Sequence, residues 1–113
     1  MKTLVNLLLI LISSVAVAQE YKIVQINTEW NSKNKVVLPH KIENAPTVYA
    51  LLEDQPENLQ KQIQAVPVVV LWKDNKVVRQ WSADLSFKLV LTVEEIAYAI
   101  REDKQKIYRR KTN

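Results

Sequence analysis

The 113-residue chain contains no cysteine, no glycine, one histidine and one phenylalanine. Without cysteine there is no disulfide, thiolate metal site, iron–sulfur cluster, thiol nucleophile or dithiol redox pair. Without glycine there is no Gly-rich loop to cradle phosphate. Each backbone position that needs a positive φ must then be taken by Asn or Asp, or be avoided. The lone His40 excludes a two-histidine metal site; it sits between Pro39 and Lys41 with no nucleophile motif beside it and reads as a solvated loop residue. The acid pairs Glu53-Asp54 and Glu94-Glu95 stand at predicted helix starts, where the helix dipole accounts for them without a carboxylate-pair hydrolase. Neither a metal nor a cofactor is expected.

What remains is an ordinary globular composition, 48% hydrophobic and 25% charged. The length permits one small domain. Residues 1–18 read as a secretory signal peptide: Met1-Lys2 gives a positive start, Leu4 to Ile12 is apolar except for Asn6, and small residues lead to a cleavage site after Ala18. The apolar run is shorter than the about 20 residues of a spanning helix. The expected product is exported, periplasmic or secreted, and meets a membrane through this segment only if the leader is retained. Its mature body, residues 19–101, is long enough to bury a modest core without disulfides.

Charge is uneven along the chain. The formal net charge is +4, and the stretch Arg101 to Asn113, with six basic and two acidic residues, carries all of it. Residues 102–113 are thus read as a basic C-terminal tail around Arg109, Arg110 and Lys111. The bland account is that these bases complement the dipole at a helix C-terminus and stay solvated. The body has no basic stripe, so no nucleic-acid partner is expected.

Local pattern predicts alternating elements. Tyr21 to Asn27 reads as a strand, and Trp30 to Val37 as the start of a short helix limited by Pro39. Thr47 to Leu52 is a second strand. A helix follows, with Asp54 as its cap, Pro56 in its first turn, Leu59 and Ile63 on one face, and an end near Gln64. Val66 to Trp72 is the most apolar strand of the body; Lys73 to Lys76 is a turn with Asn75 left-handed, and Val77 to Trp81 is the returning strand. Trp72 and Trp81 flank that hairpin, either as a cross-strand pair or as an exposed patch for a partner. Leu85 to Leu91 alternates apolar residues at odd positions and reads as an added edge strand or as an extended loop on the core. Thr92-Val93-Glu94-Glu95 is a capping box before a helix whose inner stripe is Val93, Ile96, Ala97 and Ile100.

The resulting β-α-β-α-β-β-α order resembles the thioredoxin-like fold, an α/β three-layer sandwich with a mixed central sheet. Two motifs carry the resemblance. Glu29-Trp30-Asn31-Ser32-Lys33-Asn34-Lys35 is similar to the family's E-W-C-x-x-C-K run with asparagine in both cysteine positions, and Val66 to Val78 is similar to its cis-proline strand and hairpin. Gln25 falls where many members keep a buried Asp that serves proton transfer. The chain departs from the family in having only sixteen residues between Trp30 and Thr47, and in the added segment Leu85 to Leu91.

The resemblance implies a redox-inactive member, not an enzyme, because amides replace the attacking thiol, the resolving thiol and the proton-transfer acid. It further implies a groove lined by Trp30, Asn31, Asn34, Val66 and Pro67 that accepts a protein or extended peptide by strand addition. The alternative is a structural component of an envelope or particle assembly, attached by its basic tail.

Overall fold

A computed structural model describes residues 21–39 and 41–112. The signal-peptide reading of residues 1–18 and the reading of His40 lie outside the described residues. The chain forms an α/β domain around a four-stranded mixed sheet. Strands β1 (Lys22–Asn27), β2 (Thr47–Leu51), β3 (Val68–Lys73) and β4 (Lys76–Ser82) stand in the order β2-β1-β3-β4. Strand β1 pairs parallel with β2 and antiparallel with β3, and β3 pairs antiparallel with β4. Among the described residues there are two α-helices, α1 (Glu57–Gln62) and α2 (Val93–Thr112).

Alternation along β1 and β3 divides the core between the two faces of the sheet. Val24, Ile26, Val68, Val70 and Trp72 face α1, whose Leu59 is fully buried among them. Tyr21, Ile23, Val69 and Leu71 face the other way and receive Ile96, Ala99 and Ile100 from α2. Their buried, nearly continuous apolar runs are what a sheet covered on both faces requires. Six residues are too few for a self-supporting helix, so burial of Leu59 is what holds α1.

Several sequence expectations are corrected. The helix expected from Trp30 is only a 3-10 turn, Ser32–Asn34, because Lys35 is already extended at φ −61°, ψ 147°. The side chain of Gln25 then holds the following residue: its amide donates to the Val36 carbonyl at 3.0 Å and accepts from the Val36 N–H at 2.8 Å. A glutamine on β1 thus pairs with backbone as a neighbouring strand would, leaving β-branched Val36 and Val37 no helix to join. Asp54 does not cap α1; it lies in a 3-10 turn, Leu52–Asp54, and Pro56 is the N-cap. Helix α1 has no side-chain cap; Gln60 ties it to the preceding segment by donating to the Gln55 carbonyl at 2.8 Å.

Trp72 and Trp81 are not a cross-strand pair. Trp72 lies opposite Val77 and Trp81 opposite Val69, which places the two rings on different faces of the sheet. Trp72 is only 3% exposed and cannot serve as a surface patch, whereas Trp81 is half-buried with the Arg79 guanidinium 6.0 Å from its ring. The register slips between Leu71 and Trp72, leaving Val78 as the extra residue of a bulge.

Leu85 to Leu91 is an extended loop and not a strand. It begins with Asp84 accepting from the Ser86 hydroxyl and from the Ser86 N–H at 2.8 Å, and ends with Leu91 buried in the α2-side core. Helix α2 opens with the Thr92 half of the capping box, the Glu95 N–H donating to Thr92 Oγ1 at 3.2 Å. It continues without interruption through the stretch read as a tail, so Arg109, Arg110 and Lys111 are helical positions.

Positive φ occurs at Asn44, Asp74, Asn75 and Phe87. Three of these are the residue types expected to replace glycine, and Asp74-Asn75 together form the two-residue hairpin turn. Phe87, at φ 60°, is the exception.

Candidate functional site

The predicted groove residues converge on one corner of the sheet, at the C-terminal end of β1 and the start of β3. Strand β1 ends on Asn27, a fully buried polar residue, and the chain turns through Thr28, Glu29 and Trp30. The turn is closed by Asn31 N–H to the Thr28 carbonyl at 3.2 Å and Ser32 N–H to the Glu29 carbonyl at 3.1 Å. It is tied to the neighbouring loop by the Glu29 N–H, which donates to Glu53 Oε2 at 2.9 Å.

These contacts bring Asn31 inside, 3% exposed. Its Nδ2 lies 3.1 Å from Asn27 Oδ1, 3.1 Å from the Val66 carbonyl and 3.1 Å from the Phe87 carbonyl. An amide nitrogen carries two hydrogens, so three acceptors share two donors. Its Oδ1 accepts from Asn34 Nδ2 at 2.9 Å, and its backbone carbonyl accepts from Asn27 Nδ2 at 3.1 Å. Three asparagine side chains therefore clasp the turn, the segment before Pro67 and the loop after β4. The Val66–Pro67 peptide is cis, and the Pro67 carbonyl accepts from the Ala83 N–H at 3.0 Å.

The groove assignment is corrected by this packing. Asn31, Val66 and Pro67 are buried and do not line an open surface. Trp30 stays 67% exposed, and Asn34 is half-buried. They are also met from within the chain: the Phe87 ring meets the Trp30 ring edge to face at 5.0 Å, while the Phe87 carbonyl takes a share of the Asn31 amide. An extended peptide would compete for those same groups. Gln25 does not join the corner; both ends of its amide are engaged by Val36.

Beside the filled corner a cleft of about 570 Å³ opens between the segment leading to Pro67 and the segment leaving β4, with Gln64, Ala65, Gln80, Ser82 and Leu85 on its walls. Gln80 Oε1 is buried there without a hydrogen-bond partner, although Gln80 Nε2 donates to Ser82 Oγ at 3.3 Å. A buried unpaired carbonyl is uncommon in folded proteins.

The chemistry of the corner is limited. Amides neither titrate near neutral pH nor attack carbon or sulfur. Among the described residues, no group of three or more His, Cys, Asp or Glu side chains is placed to hold a metal ion. Asp84, at the cleft rim, has its carboxyl held below the ordinary aspartate value, first by the Ser86 hydroxyl and then by the Ser86 N–H. No helix among the described residues is long and apolar enough to cross a membrane.

Sequence reasoning missed Asn27, Phe87 and Gln80. The spacing of Asn27 and Asn31 hinted at a shared amide pair. Phe87 left no comparable signal, since its carbonyl meets Asn31, 56 residues away in the chain. Comparison with family models, curated proteins and solved structures finds no match.

Proposed function

We propose that this chain is an exported, redox-inactive thioredoxin-like domain that binds a protein or extended peptide and catalyses no reaction. The reading draws support from the strand order β2-β1-β3-β4 with one parallel and two antiparallel pairings, and from the cover on both faces of the sheet. The observation that carries it is the Asn27-Asn31-Asn34 clasp: a corner that would hold a dithiol in the family is closed by amides hydrogen-bonded to one another and to the Val66 carbonyl. Thiol exchange needs an attacking thiolate and a resolving thiol, and amides supply neither.

With the corner occupied by Phe87, the cleft along Gln64, Ala65, Gln80 and Ser82 is the surface left for a ligand strand. Main-chain hydrogen bonds supply affinity in such binding, and the walls select side chains.

The test is an NMR titration of the labelled chain with a library of short extended peptides. Bound members should shift the amide resonances of Gln64, Ala65, Gln80 and Ser82. Binding that shifts only resonances elsewhere, or no binding at all, would overturn the cleft as the site. Insulin reduction by dithiothreitol should run at its background rate in the presence of the chain; acceleration would overturn redox inactivity.

A further inference from the structure

We infer that the face of the sheet covered by α2 holds a further binding site, for a small aliphatic carboxylic acid. Beside α2, this face is covered by the extended segment that follows the 3-10 turn, where a helix was expected. Extended backbone turns only alternate side chains toward the sheet, and here Val36 and Leu38 are half-buried while Lys35, Val37 and Pro39 are exposed. Gln25 stands on β1 beneath the segment, 5% exposed, with both ends of its amide on the Val36 backbone. It acts as a pillar that holds the segment off the sheet. A hollow of about 230 Å³ remains, with Ile23 and Val69 on its floor and Val36 and Leu38 above them. The cleft beside Pro67 reaches Val68 on the other face of the sheet, so the two sites are separate.

The lining states the chemistry of the occupant. Its inner walls are mostly aliphatic, and the one buried polar side chain among them already has both ends of its amide hydrogen-bonded. Burial of an apolar chain is therefore what the interior rewards. Lys41 and Thr47 complete the lining and are both exposed, which puts a cation and a hydroxyl at the mouth. One ammonium balances one negative charge. An apolar tail ending in a single carboxylate matches both parts, with the tail inside and the charge against Lys41. An apolar cavity of about 150 Å³ takes benzene, so one of about 230 Å³ suits a tail of about seven carbons. Octanoate has that length.

The experiment is an NMR titration of the labelled full chain with octanoate, compared with octan-1-ol and with acetate. Octanoate should shift the amide resonances of Ile23, Val36, Leu38 and Val69 to saturation and leave those of Gln64 and Ser82, in the cleft, unmoved. Acetate carries the charge without the tail and should shift none of these resonances at the same concentration. Octan-1-ol should bind the same residues about fivefold more weakly, the worth of one ion pair at an exposed rim. Lys41 is exposed, so Lys41→Gln should keep the fold; it should lower octanoate affinity about fivefold, to the level of the alcohol, and leave the alcohol unchanged. Absence of saturable octanoate shifts at the hollow would overturn the site. Equal affinity for octanoate and octan-1-ol, or no effect of Lys41→Gln, would overturn the carboxylate as the group recognised.

Discussion

Asn31 is the residue through which the corner of the sheet is assembled. Its amide meets the carbonyls of Val66 and Phe87, which lie 35 and 56 residues away in the chain. Truncating it leaves buried acceptors with no donor, so Asn31→Ala should destabilise the fold by about 1–3 kcal/mol for each carbonyl left unpaired. Urea denaturation at neutral pH is the check; a loss of only a few tenths of a kcal/mol would mean that water replaces the amide. Asp84 offers a finer measurement. Its pKa is lowered in the folded chain by the Ser86 hydroxyl and N–H, so its contribution is fully present above the ordinary aspartate value and is lost as pH falls through the lowered one. In Ser86→Ala the Asp84 titration midpoint should rise toward the ordinary aspartate value, as read by NMR of the side-chain carboxyl.

At the scale of elements, the loop from Ala83 to Leu91 is the most unusual part of the fold. Among the described residues it carries the one positive φ that falls on neither Asn nor Asp, and its Phe87 ring packs edge to face with Trp30. A left-handed conformation costs a residue with a Cβ roughly 1–2 kcal/mol, and the ring and carbonyl contacts of Phe87 must offset that. The two effects separate in a pair of variants. Phe87→Ala loses the ring and keeps the backbone cost, whereas Phe87→Gly loses both, so the glycine variant should be the more stable by about 1–2 kcal/mol. The usual ranking, with alanine more stable than glycine, would show that the loop relaxes out of the left-handed region once the ring is gone.

At the scale of the whole molecule, one sheet separates two apolar cores, and the two hairpin tryptophans belong to different ones. Trp72 is buried under α1, so Trp72→Ala should cost about 3–5 kcal/mol. Trp81 is half-buried beneath the Arg79 guanidinium, and Trp81→Ala should lie near the typical value of about 1 kcal/mol. Thermal or urea unfolding of the two variants distinguishes this arrangement from an exposed tryptophan pair, for which the two losses would be similar and small.

The elements whose pattern is local were legible in the residues themselves. Strand β3 announces itself as a run of Val and Leu, the hairpin as Asp74-Asn75 between apolar runs, and α2 as a capping box followed by an apolar stripe. Each is decided by propensity and periodicity over a few neighbouring positions. The absence of cysteine is likewise read from the sequence alone. The first helix was misjudged because the deciding contact, Gln25 holding the Val36 backbone, spans eleven residues and competes with helix formation only once β1 exists. The tryptophan faces depended on a register that slips by one residue at a bulge. Whether the groove is open depended on where a loop from the far end of the sheet comes to rest. Local sequence sets which backbone conformations are cheap. Only the packed chain decides which buried amides and rings meet, because those energies depend on distances in space between residues remote in sequence.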